Sequence, residues 1–487
     1  PAGFSGIPLN PPGSDSDRFE GGGELPGDGT GLIAVVGAGI SGLCTAWWLK
    51  QKGMKVVVFE RNAEPGGTMR TIREAGWLTE AGPNSALETT PLLGQLFDEL
   101  GILDQRIYAD DAASRRYILK GGLLQAIPMT PSSLISTRLW SLGGKLRILK
   151  EPFIGRASKE ESVADFVTRR LGPEFLDYAI NPFVAGVYAG DPRKLSIRAA
   201  FPKMYALEST YGGLIRGMFA LRKKRKISGM GIGKSRLFSF TGGMQNLPLS
   251  LAAELGKSLM LNTTVEHIIP MRAGRGPVYT VSIRRNGTSE SIQASAVVLA
   301  GPAHATAGII RRIDPEMAKT LESIYYPPVA SVYLGFKTDQ IGRPLDGFGF
   351  LVPEVERRRI LGTIWSSVLF PGRAPEGCAA LTTFVGGARQ PELALLDDDG
   401  LRRTVLEELR SIMNVTGEPV FCRINRWERA IPQYTMGYQS VLQALDRFEQ
   451  NFRGAFICSN FRGGIAVGDC VASAWKLSEI IVRYIAG

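Results

Sequence analysis

The sequence predicts a mixed α/β and α+β chain with a discontinuous Rossmann-like domain, a mainly β domain and a helical domain. Three observations carry this expectation. Leu32 to Arg61 reads as strand, glycine turn, helix, strand and acid. A late apolar strand, Phe452 to Asn460, again runs into a glycine-rich turn and a final helix from Val471 to Ile485. Between these ends, short β-branched runs punctuated by Gly and Pro follow a long stretch whose apolar residues recur at helical spacing among Arg and Lys.

The first stretch is the most specific. Leu32–Val36 is a short apolar run that leads into Gly37-Ala38-Gly39-Ile40-Ser41-Gly42, and Val56–Phe59 ends on Glu60. In a dinucleotide-binding βαβ unit each of these positions has a physical task. Gly37 permits the tight turn, Gly39 lets a pyrophosphate approach the backbone, and Gly42 lets helix and strand pack closely. The helix N-terminus supplies free N–H groups and a partial positive charge to the phosphates. Glu60, eighteen residues beyond Gly42, can accept hydrogen bonds from ribose hydroxyls.

Six residues after Glu60 stands a second pair, Gly66-Gly67-Thr68, followed by Arg70. A tight loop there returns backbone amides to the same pyrophosphate. This double use of glycine resembles the flavoprotein oxidases of the amine-oxidase superfamily. The resemblance implies FAD, with Gly82-Pro83-Asn84-Ser85 running past the flavin ring.

Composition bounds the alternatives. With 487 residues, 44% hydrophobic and 21% charged, the chain is ordinary globular material for two or three domains. No apolar run reaches the ~20 residues of a membrane-spanning helix. The net charge of +11 suits an acidic partner: anionic lipid, nucleic acid or a polycarboxylate. Five scattered cysteines form no CxxC pair or disulfide framework, which favours a reducing compartment. Two histidines, His267 and His304, exclude a histidine-rich metal site, and no serine elbow supports a Ser–His triad. His267 reads as structural; His304, after the strand Ala296–Ala300 and a Gly-Pro turn, could lie near the flavin.

Along the chain, residues 1–30 read as a flexible leader rather than a secretory signal. Helical patterns are expected at Pro91–Leu103, Val163–Leu171 and Leu401–Met413. A hairpin is expected over Arg115–Ile118 and Leu123–Ile127. Strands are expected at Lys257–Val265, Val278–Arg284, Ser291–Ala300, Tyr325–Phe336, Phe348–Pro353, Gly362–Ser366 and Ala380–Val385. Between residues 130 and 155, Leu134, Ile135, Leu139, Trp140, Leu142, Leu146, Leu149 and Phe153 mix with Arg138, Lys145, Arg147 and Lys150. That mixture fits an interfacial membrane helix and equally fits helices packed on the protein's own core. Arg222–Lys226 is a solvated charge run, and no nucleic-acid-binding module accompanies it. Gly229–Ser235 imitates a P-loop but has Ser228 where the first glycine is required, so ATP is rejected.

Taken together, GAGISGL, GPNS, PFVAGVYAGDPRKLS, FTGGMQNL, LDGFGFLVP, FPGRAP, TTFVGGARQPEL, IPQYTMGY and NFRGGIAVGDC resemble the oxygen-dependent protoporphyrinogen oxidase family over about residues 32–485. One departure from monoamine oxidases is Thr68 after the second glycine pair, with arginine displaced to Arg70. The resemblance implies an FAD-binding domain from 31–107, 245–310 and 437–487, a helical membrane-associated domain at 108–225, and a substrate domain from 226–244 and 311–436. It extends the flavin set to Arg61, Val265, Val467, Gly468 and Asp469. It also implies that Arg116 pairs with a propionate, Phe384 stacks on a pyrrole ring, Leu351 and Ile364 sandwich another, and Gly186 faces the ring nitrogens. From the residues alone, Arg116 could equally form a surface ion pair and the others could be core. The implied reaction is the six-electron oxidation of protoporphyrinogen IX to protoporphyrin IX by O2, giving hydrogen peroxide, with no acid–base side chain and no metal. Coproporphyrinogen III and an amine are the alternative substrates. A peripheral membrane surface, with the cytoplasmic face of a bacterial inner membrane preferred to an organelle, a homodimer and hand-over to ferrochelatase are the implied partners and setting.

Overall fold

The computed structural model describes residues 31–227, 236–273 and 276–486. The expected leader at 1–30 and the P-loop imitation at 229–235 lie outside them. A five-stranded parallel sheet organises the first module, in the order Leu259–Met260, Lys55–Phe59, Leu32–Val36, Ala296–Leu299, Ala455–Ile457. Its strands come from three distant parts of the chain, so the module is discontinuous. Both faces are covered, which is why its strands read as unbroken apolar runs. Ile33 and Val35 point to the helices Ile40–Gln51, Asn246–Leu255 and Val467–Ala486. Leu32, Ala34 and Val36 point to an antiparallel sheet of Thr263–Ala273, Gly276–Arg285 and Thr288–Ala294.

The second module is a seven-stranded mixed sheet. Its order is Phe421–Trp427, Val329–Lys337, Cys378–Gly386, Gly362–Ile364, Gly349–Leu351, Arg116–Lys120, Leu123–Ala126. One face carries Val332, Leu334, Phe336, Phe350, Leu381 and Val385 and is closed by Leu401, Val405 and Leu409 of the helix Asp398–Met413. The other face looks toward the first module. Helices from Pro131 to Ile227 form the third module. At its centre Arg170, fully buried, donates to Glu151 and Glu208 at 2.8 and 2.7 Å, and Glu151 also accepts from the amides of Leu214 and Ile215.

Strand pairing departs from the expected partition at two places. The hairpin 116–126, expected in the helical domain, forms the edge of the seven-stranded sheet through the parallel pair Gly349–Leu351 and Arg116–Ile118. Leu237–Phe240, expected in the substrate domain, pairs with Ala86–Leu87 and Arg106–Tyr108 of the first module. Local pattern names a strand but not its partner. Two expected strands are each divided. Ser291–Ala300 breaks at Ser295, where the chain leaves one sheet for another, and Lys257–Val265 contains a 3-10 turn and the start of two strands. Tyr325–Phe336 begins late, at Val329, because Pro327 and Pro328 offer the ladder no N–H. The stretch 181–196 opens as a helix, Asn181–Tyr188, that stops at left-handed Ala189.

Candidate active site

The glycine turn does what its spacing implies. At Gly42 a Cβ would stand 2.0 Å from the Gly37 carbonyl oxygen, so only glycine lets helix and strand meet there. Gly39 differs: a Cβ there would meet nothing within 4 Å. The protein's own packing leaves that space free in front of the helix N-terminus, where no side chain caps Ile40–Gln51. The second glycine pair returns to the same place. Gly66 donates to the Ala38 carbonyl at 2.8 Å, and Gly67 lies against Gly39. Gly82 in turn packs on Thr68, where a Cβ would be 1.9 Å from the carbonyl oxygen, bringing Pro83, Asn84 and Ser85 beside the turn.

Glu60 is 6% exposed and is held in place from both sides. One carboxylate oxygen accepts from the Ala38 amide at 2.8 Å, the other from the backbone and side chain of Asn62 at 3.0 and 2.7 Å. Its backbone joins Met260 and Thr263, which places Val265 two residues away on the adjoining strand. Asn62 is a residue that sequence reasoning missed; its signal is only a polar side chain two positions after the acid.

At the far end of the chain, Gly464 leads into the helix Val467–Ala486, and Val467, Gly468 and Asp469 form its first turn. A Cβ on Gly464 would strike the Asp469 carboxylate at 2.4 Å. Burial pushes the Asp469 carboxyl above its usual range, partly offset by a backbone hydrogen bond. Tyr434 orients this turn, accepting from the Gly464 amide at 3.1 Å and donating to the Asn460 carbonyl at 2.7 Å. Arg61 is exposed; burial first, then the charges of Arg429 and Arg61, lowers the pKa of the His304 imidazole. His304 sits edge-on to Tyr326 at 5.7 Å. His267 meets Ser282 and Arg312, both at 3.1 Å, in the structural setting expected of it.

Four of the five expected substrate residues share one sheet face through strand register, and the fifth, Gly186, packs over it. Arg116 is aligned with Gly349, and Gly349 with Ile364. Leu351 is aligned with Gly362, and Gly362 with Phe384. Residues two apart share a face, so Arg116, Leu351, Ile364 and Phe384 all lie on the face opposite the helix Asp398–Met413. Gly186, from the helical module, lies over this face; a Cβ there would come 2.3 Å from Leu351 Cδ2. Arg116 is exposed, 5.4 Å over the Phe348 ring, and makes no ion pair among the described residues. The acid nearby, Asp346, is taken by Arg115 at 2.7 Å. A small cavity joins the two halves of the site, lined by Asn84 of the loop and Ile364 of the sheet together with Glu80, Ser366 and Arg373.

Glycine geometry, a free helix N-terminus and a fixed ribose acid fit FAD: Gly37–Gly42, Glu60, Gly66–Thr68, Gly82–Ser85 and Val467–Asp469 would hold it. This fold and cradle define a flavin oxidoreductase. The chain belongs to the flavin-containing amine oxidoreductase family, which it matches over residues 40–482. It is 34% identical over 483 residues to protoporphyrinogen oxidase 2, chloroplastic/mitochondrial, of Arabidopsis thaliana, covering 93% of this chain and 94% of that protein. It is 28% identical over 466 residues to coproporphyrinogen III oxidase of Bacillus subtilis, covering 91% of this chain and 96% of the relative. A crystal structure from Exiguobacterium sp. 255-15, provisionally named a protoporphyrinogen oxidase, shares the fold with a TM-score of 0.76 at 24% identity, over 92% of this chain and 98% of that one.

The 130–155 region resolves differently from its composition. Leu139 and Trp140, which composition left open between an interfacial helix and the protein's own core, are 0% and 6% exposed and pack with Ile118 against Phe175 and Leu351. The outward residues are Ile135, Leu142, Leu146, Leu149 and Phe153, each more than half exposed. They sit on three short elements, Pro131–Ser136, Leu142–Leu149 and Glu151–Phe153, not on one helix. No helix among the described residues is long and apolar enough to cross a membrane.

Proposed function

We propose that this flavoenzyme oxidises protoporphyrinogen IX to protoporphyrin IX, using O2 and releasing hydrogen peroxide. The observation that carries the proposal is the shared sheet face, where Arg116, with no ion pair among the described residues, stands at one edge of an apolar strip of Leu351, Ile364 and Phe384. A flat macrocycle with carboxylate tails is complementary to such a strip. Arg116 offers a fork of donors to a propionate, and Phe384 offers a ring face to a pyrrole. FAD held in the cradle would supply the two-electron, hydride-accepting chemistry that such an oxidation needs. The chain's contribution is orientation: Gly186 over Leu351 keeps the cleft narrow, and the 82–85 loop lies across the cavity from Ile364. The pyrrole N–H proton leaves with water as acceptor, and aromatisation supplies much of the driving force.

Coproporphyrinogen III is the second reading, favoured by the Bacillus relative. Comparing kcat/KM on protoporphyrinogen IX, coproporphyrinogen III and an amine decides between them, and preference for the amine would overturn both porphyrinogen readings. Arg116→Ala is expected to raise KM about tenfold with kcat little changed, because a tail contact is similar in ground and transition states. The outward apolar residues near 135–153, set among Lys145, Arg147 and Lys150, support peripheral attachment to an anionic membrane surface, from which poorly soluble macrocycles would be drawn.

A further inference from the structure

Beneath the strip where loop and sheet meet lies a buried charge pair that the substrate reading leaves unused. Arg373 is 3% exposed. One guanidinium nitrogen donates to Ser239 Oγ at 2.7 Å and the Phe240 carbonyl at 3.2 Å, while Nη1 is buried with no hydrogen-bond partner among the described residues. Glu80 is 5% exposed, and its Oε1 stands 4.0 Å from Arg373 Nη2. Its oxygens are held by Thr71 Oγ1 at 2.7 Å and the Met244 amide at 2.9 Å. The Arg373 backbone is fixed as well: its carbonyl accepts from the Tyr333 hydroxyl at 2.6 Å and the Leu78 amide at 3.2 Å. Both residues line the same small cavity as Asn84 of the 82–85 loop and Ile364 of the strip.

An unpaired N–H on a buried cation is costly, and a surface arginine would have avoided the cost. Here three backbone segments hold it at the junction of cofactor loop and substrate wall. We propose that Arg373 is a tuning residue whose fixed charge favours the reduced flavin, and that Glu80 is the counter-charge limiting its effect. The inference rests on the FAD-dependent oxidase reading but not on which porphyrinogen is consumed. Each two-electron oxidation moves one hydride to the ring system, adding one negative charge there, while the substrate's N–H proton is released. A cation held in low dielectric nearby lowers the energy of that added charge; a neighbouring carboxylate raises it. O2 then takes up two electrons and two protons as hydrogen peroxide.

The two residues therefore act with opposite sign, and a merely structural pair does not. The test is a reductive titration of purified, flavin-loaded protein at pH 8 against a reference dye, which needs no porphyrinogen. Arg373→Met is expected to disfavour reduction at least tenfold, equivalent to about 30 mV for a two-electron couple, and Glu80→Gln to favour it by a similar factor. Arg373→Lys, which keeps the cation, should fall between wild type and Arg373→Met. Shifts of the same sign in Arg373→Met and Glu80→Gln, or changes below twofold in both, would overturn the proposal. If Arg373→Met does not fold, Glu80→Gln and Arg373→Lys carry the test by the same opposed signs. Wild-type protein that takes up no FAD would defeat the oxidase reading itself and is seen before any titration begins.

Discussion

Ser331 shows how much one side chain can disclose. It is 5% exposed, stands directly opposite Phe384 in register, and its hydroxyl has no hydrogen-bond partner among the described residues. A buried polar group without a partner costs about 1–3 kcal/mol, so Ser331→Ala should raise the unfolding free energy of substrate-free protein by about 1 kcal/mol in urea titration. The same change should raise KM if the hydroxyl meets the substrate's N–H edge. A loss of stability would show that Oγ is already paired in the free protein. In the sequence Ser331 is one small polar residue in an apolar run, indistinguishable from a strand-filling serine. Gly39 and Gly42 are the contrast. Their tasks were legible from spacing, because a turn that admits a pyrophosphate and a helix that touches a strand each exclude a side chain at a defined position.

The elements at 131–153 separate two groups that composition merges. Leu139 and Trp140 form a wedge between the helices and the edge strand Arg116–Lys120, with Trp140 stacked on Phe175 at 5.2 Å. Ile135, Leu146 and Phe153 point away from the protein. In flotation with anionic vesicles, Ile135→Glu with Leu146→Glu and Phe153→Glu should release folded, flavin-loaded protein, and high salt should loosen the wild type partly. Each basic residue near such a surface contributes roughly 1 kcal/mol, which salt screens. Leu139→Glu with Trp140→Glu should instead lose flavin or aggregate, because it places two carboxylates in the core. Retained vesicle binding by the outward triple variant would move the attachment site elsewhere. Helical spacing could not make this division: three short elements with separate axes have no common apolar face to read.

At the scale of the whole molecule, buried ionisable groups give stability a predictable pH dependence. Burial, more than its hydrogen bonds to Thr71 and Met244 or the charges of Arg373 and Arg73 can offset, raises Glu80 from 4.5 to about 7. The folded state therefore keeps a proton that the unfolded chain releases. Glu80's contribution is fully present below pH 4.5 and is lost as pH rises through about 7. Glu80→Gln should gain on wild type across that window and level off above it, by a difference of order 3 kcal/mol in denaturation midpoints followed against pH. Glu208 behaves oppositely. Burial works against its ionised form, but Arg170 and Arg169 hold its carboxyl below the usual range, so its contribution is lost as pH falls. That loss belongs to the helical module, where Arg170 ties Glu151 to Glu208.

By itself the sequence determined the cofactor and the class of chemistry, because the βαβ unit, the second glycine pair and the late glycine turn are local patterns whose geometry follows from short-range sterics. It also determined most strands and helices, since apolar periodicity reports which side of an element is buried. Only tertiary structure decided which strands are neighbours: the hairpin 116–126 joined the seven-stranded sheet, and register brought Arg116, Leu351, Ile364 and Phe384 to one face. Tertiary structure also set Glu80 beside Arg373, although 293 positions separate them along the chain. A charge in an apolar strand looks the same whether its counter-charge is a neighbouring side chain or water. The energy of that difference comes from burial, and burial is settled only when distant segments pack.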